Sequence, residues 1–202
     1  MSGLFPHLGA ALVVGCLALV IARQYSCNRL LLSGSFFAIA LLTLAPIAGF
    51  PASHYIRVLT GDLSPFGFIL LSAASGQVLM QGRRDRSTEE KRTAQAVLIA
   101  AIVLYPSALG VSPFDSYSLG YVPVYLGPAV FCLFAWSVWC NYRTAAAGIA
   151  IALAAFHFRL LESDNPWDYL IDPVVVVYSL GLLVAERRQS RTSGSRGQTD
   201  AA

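Results

Sequence analysis

Apolar positions in this chain neither keep to one helical face nor alternate as in a half-buried strand; they run on uncharged for many residues at a time. A hydrocarbon core about 30 Å thick takes roughly 17–25 mostly apolar residues per helix. Stretches 4–22, 30–50, 65–81, 93–111, 123–140, 144–161 and 166–188 meet or nearly meet that length. A tight Asn141-Tyr142-Arg143 turn joins the fifth to the sixth, and Asp168, Asp172 and Pro173 interrupt the seventh. The pattern predicts an all-α, polytopic integral membrane bundle of seven transmembrane helices over residues 1–188, with short loops. Six spans plus a re-entrant piece is the alternative, should only 173–185 of the last stretch be helical.

Basic residues set the orientation, because Lys and Arg near span ends stay on the cytoplasmic side. With seven spans, twelve of the fourteen fall together: Arg23, Arg29, Arg83, Arg84, Arg86, Lys91, Arg92, Arg143, Arg187, Arg188, Arg191 and Arg196. Arg57 and Arg159 lie opposite. The split places the N-terminus outside and the C-terminus inside. Composition agrees, with 56% hydrophobic and 12% charged residues, where a soluble domain carries about 25% charged residues. The first run has no basic region before it and no small-residue cleavage site after it, so it reads as a retained span rather than a signal peptide. The loop 82–92 mixes both signs and reads as a solvated connector, and 189–202 as a disordered basic cytoplasmic tail. The expected setting is the inner (cytoplasmic) membrane of a bacterium, with the lipid bilayer as partner and a second membrane protein as a further candidate.

The two faces of this bundle differ. All ten prolines fall at or near the outer side. Pro6, Pro65, Pro123 and Pro166 stand near the starts of inward-running spans, where proline loses no helical hydrogen bond. Pro46, Pro106, Pro128 and Pro173 are expected inside spans, kinking their outer halves. His7, His54 and His157 sort to the same side, as do Asp62, Asp115, Glu162, Asp164, Asp168 and Asp172.

Two clusters there carry candidate chemistry. In the first, His157 to Pro173, a helix beginning at Pro166 places Asp168 and Asp172 four apart on one face, where they could share a proton. Asp172 is then near the hydrocarbon boundary, with Arg159 and His157 as its nearest candidate partners. The competing reading makes Asp172 the cap of a shorter helix starting at Pro173, in water. In the second, Ser53 to Pro65, His54, Arg57 and Gly61 read as a short interfacial helix ending at a glycine, with Asp62 and Ser64 opening the next span. Arg57 pairs there with an outer acid or binds an anionic headgroup; the bland reading is a snorkelling arginine. Asp115 and Arg159 complete the candidate headgroup or ligand contacts. Tyr117, Tyr121, Trp136, Trp139 and Tyr142 read as interfacial belts.

Several classes are disfavoured. Cys16, Cys132 and Cys140 lie within spans and Cys27 in a loop, without CxxC spacing, so no disulfide framework or thiolate zinc site is indicated. No HExxH, GxSxG, Walker loop or dinucleotide fingerprint occurs, and no metal or cofactor is expected. The bases flank spans instead of forming a face, which argues against nucleic acid. Three classes remain: a non-catalytic accessory or scaffold component with an acidic outward site, which the lack of motifs favours; a small proton- or cation-coupled transporter using Asp168 and Asp172; and a membrane-embedded enzyme acting on a lipid or lipid-linked substrate at the outer leaflet, with His157 and His54 as acid/base candidates, Asp168 and Asp172 orienting them, and Arg57 or Arg159 holding phosphate.

Overall fold

The computed structural model describes residues 4–25, 28–47, 49–81, 87–111 and 115–199, with side chains covered as far as residue 188 except at 81 and 123. Nine helices make up nearly all of it: α1 (Leu4–Tyr25), α2 (Arg29–Leu42), α3 (Ala52–Thr60), α4 (Pro65–Gln81), α5 (Thr88–Ala108), α6 (Pro123–Trp139), α7 (Arg143–His157), α8 (Trp167–Leu170) and α9 (Pro173–Thr199). One antiparallel pair, β1 (Pro46–Ile47) with β2 (Phe50–Pro51), matches Ile47 to Phe50. The chain is all-α.

Seven of these helices overlap the seven apolar runs, and their ends show how they alternate. At one end His7 of α1 meets Ser53, Ser64 before α4 meets Asp172 before α9, and Ser107 near the end of α5 meets Ser116. At the other end Glu89 of α5 meets Thr144 of α7, and Lys91 of α5 pairs with Glu186 of α9. Helix α4 is central, packing against α1, α2, α7, α8 and α9. Its Phe66, Leu70 and Leu71 join Val13, Val97, Val130, Ile149 and Val175 in the main core. Small residues bring the axes close. The buried face of α7 is Ala145, Gly148, Ile149, Ala152 and Ala155, and a Cβ on Gly148 would come within 2.7 Å of the Phe66 ring.

Helix lengths depart from the apolar runs for identifiable reasons. The second run stops at Leu42: the Thr43 hydroxyl bonds the Ala40 carbonyl, and the chain then turns into the β1–β2 pair. Pro46 therefore stands in a strand and kinks no helix. Pro173 likewise opens α9 instead of bending it, whereas Pro106 and Pro128 do lie inside α5 and α6. Helix α5 begins earlier than its apolar content, because the Ser87 hydroxyl accepts the Glu90 N–H at 3.1 Å. By its backbone α9 continues to Thr199, through a segment whose composition predicts disorder. The basic residues 83, 84 and 86, together with Cys27, lie outside the described residues.

Among the described residues, α1 alone is both long and apolar enough to cross a membrane; α3 and α4 pass together but are bent by 111°. Helices α2, α6 and α7 are apolar yet only 14, 17 and 15 residues long.

Candidate functional site

The break between α8 and α9 positions the acid on which the sequence leaves two readings open. Ile171 is extended, and α9 starts afresh at Pro173. Asp172 caps it, Oδ1 accepting the Val175 N–H at 2.9 Å. Its other oxygen, Oδ2, accepts the Ser64 N–H at 2.8 Å. Ser64 is itself the cap of α4, its Oγ accepting the Gly67 N–H at 2.9 Å. Asp172 is only 4% exposed. Both readings are thus half right: the acid is buried, and it caps a helix beginning at Pro173. Backbone N–H groups at two helix starts hold the carboxylate, where anions are favoured by the helix dipoles. Gly67 is required beside it, since a side chain there would strike Val175 and sit 2.8 Å from Oδ2.

Neither expected partner reaches this carboxylate. His157 ends α7 exposed, its ring meeting Phe158 edge-on at 5.3 Å. Arg159 turns the chain in the left-handed region (φ 52°), and its exposed guanidinium lies 3.9 Å from Asp164.

Asp168 is engaged by a different set of bonds from Asp172. The Tyr117 hydroxyl donates between its two oxygens, 3.0 Å from each, and the Ser163 hydroxyl donates to Oδ2. Burial, reinforced by the Asp168 carboxylate, pushes the Tyr117 hydroxyl well above its ordinary range, so it remains a donor at physiological pH. Asn165, fully buried, donates to the Tyr117 carbonyl at 3.1 Å and accepts the Trp167 N–H at 3.0 Å. The Trp167 indole donates to the Ser116 carbonyl at 3.2 Å. Gly120 fits against Asn165 so closely that any side chain would collide. Tyr169, 1% exposed, bonds Leu161 and Ser163 backbone atoms through its hydroxyl. Two loops distant in sequence are thereby clasped into one cap, and Asp168 is a fixed acceptor within it.

The second cluster forms as its spacing predicts. Amphipathic α3 ends at Gly61 with φ 73°, a backbone that glycine adopts without strain. Arg57 Nε and Nη2 grip Asp62 Oδ1 and Oδ2 at 2.6 and 3.1 Å, so its acid partner is Asp62. His54 stacks on Phe50 at 5.0 Å, and His7 Nδ1 lies 2.8 Å from the buried Ser53 hydroxyl. Asp115 accepts the Tyr117 and Ser118 N–H groups, an exposed turn cap. Two adjoining clefts of about 510 and 480 Å³ open at this end, sharing Gly61, Asp62 and Glu162. His7, His54 and Arg57 line the first; Tyr105, Asp168 and Asp172 line the second. The Tyr105 hydroxyl is buried without a partner among the described residues.

Several participants carry no sequence signal. Tyr117, Ser163 and Tyr169 are indistinguishable from belt and loop residues until the loops meet. At the opposite end Glu89 Oε1 accepts the Thr144 and Ala145 N–H groups at 2.6 and 3.1 Å, capping α7 from another helix. Here a signal existed: Ser87 and Glu90 have the spacing of a capping box, which marks a helix start inside the presumed connector.

Among the described residues no three His, Cys, Asp or Glu side chains gather as they would around a metal ion. Comparison with protein-family models, with curated proteins and with solved structures finds no match to this chain.

Proposed function

We propose that the chain is a multi-pass membrane protein of seven spans, N-terminus outside and C-terminus inside, serving as a non-catalytic accessory component of a bacterial cytoplasmic membrane. Its apolar exterior supports the membrane placement. Leu31 and Phe37 of α2, Ile102 of α5, and Phe131 and Trp136 of α6 are each 58–72% exposed, and exposed apolar surface on this scale calls for lipid or a partner. The shorter helices fit a bilayer that thins locally or is crossed with help from flanking side chains.

The observation that carries the non-catalytic reading is the engagement of Asp172 and Asp168. Both acids that a transporter or hydrolase would use are committed to holding helix starts and loops together. His157, the acid/base candidate beside them in sequence, is exposed and packs edge-on against Phe158.

Single-cysteine labelling tests the topology. In a chain with its native cysteines replaced, Asp164→Cys is expected to react with an impermeant maleimide added to intact cells, and Asn141→Cys only after lysis. Labelling of both, or the reverse order, refutes it. For the accessory role, isolation from its own membrane is expected to yield a second membrane protein at a fixed ratio; a chain recovered alone in every mild detergent counts against it.

A further inference from the structure

The first cleft contains unused hydrogen-bonding capacity of both signs. Arg57 spends Nε and Nη2 on Asp62, so Nη1 keeps two N–H groups without a partner among the described residues, on a side chain only 16% exposed. His7 uses Nδ1 on Ser53, leaving Nε2 unpaired beside it. Glu162 lines the same cleft, exposed and likewise without a partner among the described residues. Arg57 and Asp62 cancel, so Glu162 is the uncompensated charge. A purely anionic ligand would meet repulsion there, and a purely cationic one would leave the guanidinium end unused. Its lining is partly apolar: Phe50 and Val58 are 54% and 76% exposed.

We propose that this cleft binds a phosphodiester bearing a primary ammonium group, Arg57 Nη1 and His7 holding the phosphate and Glu162 the ammonium. Arginine presents paired donors to phosphate oxygens, and a carboxylate accepts from ammonium. Such a group comes from an aminophospholipid or from a free glycerophosphoamine. The lipid source rests on the membrane placement above, with Phe50 and Val58 meeting the acyl chains.

Native mass spectrometry of the full chain in mild detergent tests it, titrating dihexanoyl-phosphatidylethanolamine, dihexanoyl-phosphatidylglycerol and glycerophosphoethanolamine. One saturable phosphatidylethanolamine is expected, bound more tightly than phosphatidylglycerol. Arg57→Lys, which keeps the charge beside Asp62 but loses the planar fork, is expected to weaken it roughly tenfold. Glu162→Gln, at an exposed position that leaves folding intact, is expected to abolish the preference over phosphatidylglycerol. Phosphatidylglycerol binding as tightly to the unsubstituted chain, or a preference that survives Glu162→Gln, overturns the proposal. Equal binding of glycerophosphoethanolamine supports the site and assigns it the free ester; binding of the lipid alone assigns it the lipid. Failure of the site leaves the membrane placement standing, since that is scored separately by resistance to carbonate extraction.

Discussion

Asp172 carries the most structural consequence of any single side chain in this molecule. One carboxylate closes two helix starts, and its removal leaves the Val175 and Ser64 N–H groups buried and unbonded. Losing a cap costs about 1 kcal/mol, and a buried unsatisfied donor about 1–3 kcal/mol. Asp172→Ala is therefore expected to destabilise the chain by about 2–4 kcal/mol, read as a lower melting temperature in detergent with the protein still made. Asp172→Asn keeps one acceptor and should lose less. Arg159→Ala, which breaks a contact between two largely exposed side chains, should melt unchanged. An unaltered melt for Asp172→Ala refutes the clamp. Legibility at this scale follows sequence distance. Ser64 and Asn165 reveal themselves as caps because the N–H groups they bond lie two or three residues on. The bond from Tyr117 to Asp168 spans 51 positions, and nothing local to either residue points to the other.

Helix ends, more than helix interiors, decide how far the chain's elements can be read from its sequence. Pro65–Gln81 has the bounds its apolar run predicts, since a serine and a proline mark its start. Arg29–Leu42 is shorter than its run because apolar residues continue through Pro46 and Phe50, and hydropathy does not distinguish helix from hairpin. Thr88–Ala108 is longer than its run because its first turn is polar and capped. That first turn ties elements together: Glu89 supplies the acceptor that α7 lacks, Tyr142 before it making no side-chain cap. Glu89→Ala is expected to cost about 1–2 kcal/mol and to speed amide exchange at Thr144 and Ala145. Exchange there at the unsubstituted rate would mean that α7 starts without its help. Lys91→Ala removes only a partly exposed ion pair and should leave those amides unchanged.

For the whole molecule, one physical quantity separates a membrane bundle from a water-soluble helical protein: the transfer cost of a charge placed on its exterior. Phe131 sits midway along α6 and is 66% exposed, as are its neighbours in kind Leu133 (54%) and Trp136 (64%). On a soluble protein Phe131→Lys replaces an exposed ring with a solvated ammonium, and solubility improves at no cost to folding. In a bilayer the same substitution places a charge near the centre of a span, at about 2.5–3.5 kcal/mol on insertion scales. Helix α6 has little margin for that, with 17 residues and a proline at position 128. Phe131→Lys is thus expected to reduce the membrane-integrated fraction severalfold, measured by resistance to carbonate extraction. Trp139→Lys, at the helix end where a long basic side chain reaches the interface, should integrate normally. Recovery of the unsubstituted chain and of both variants, folded, in the soluble fraction would remove the membrane from the account. The fold of seven alternating helices would survive that result; the orientation, the lipid-facing girdle and the lipid source of the cleft's ligand would not.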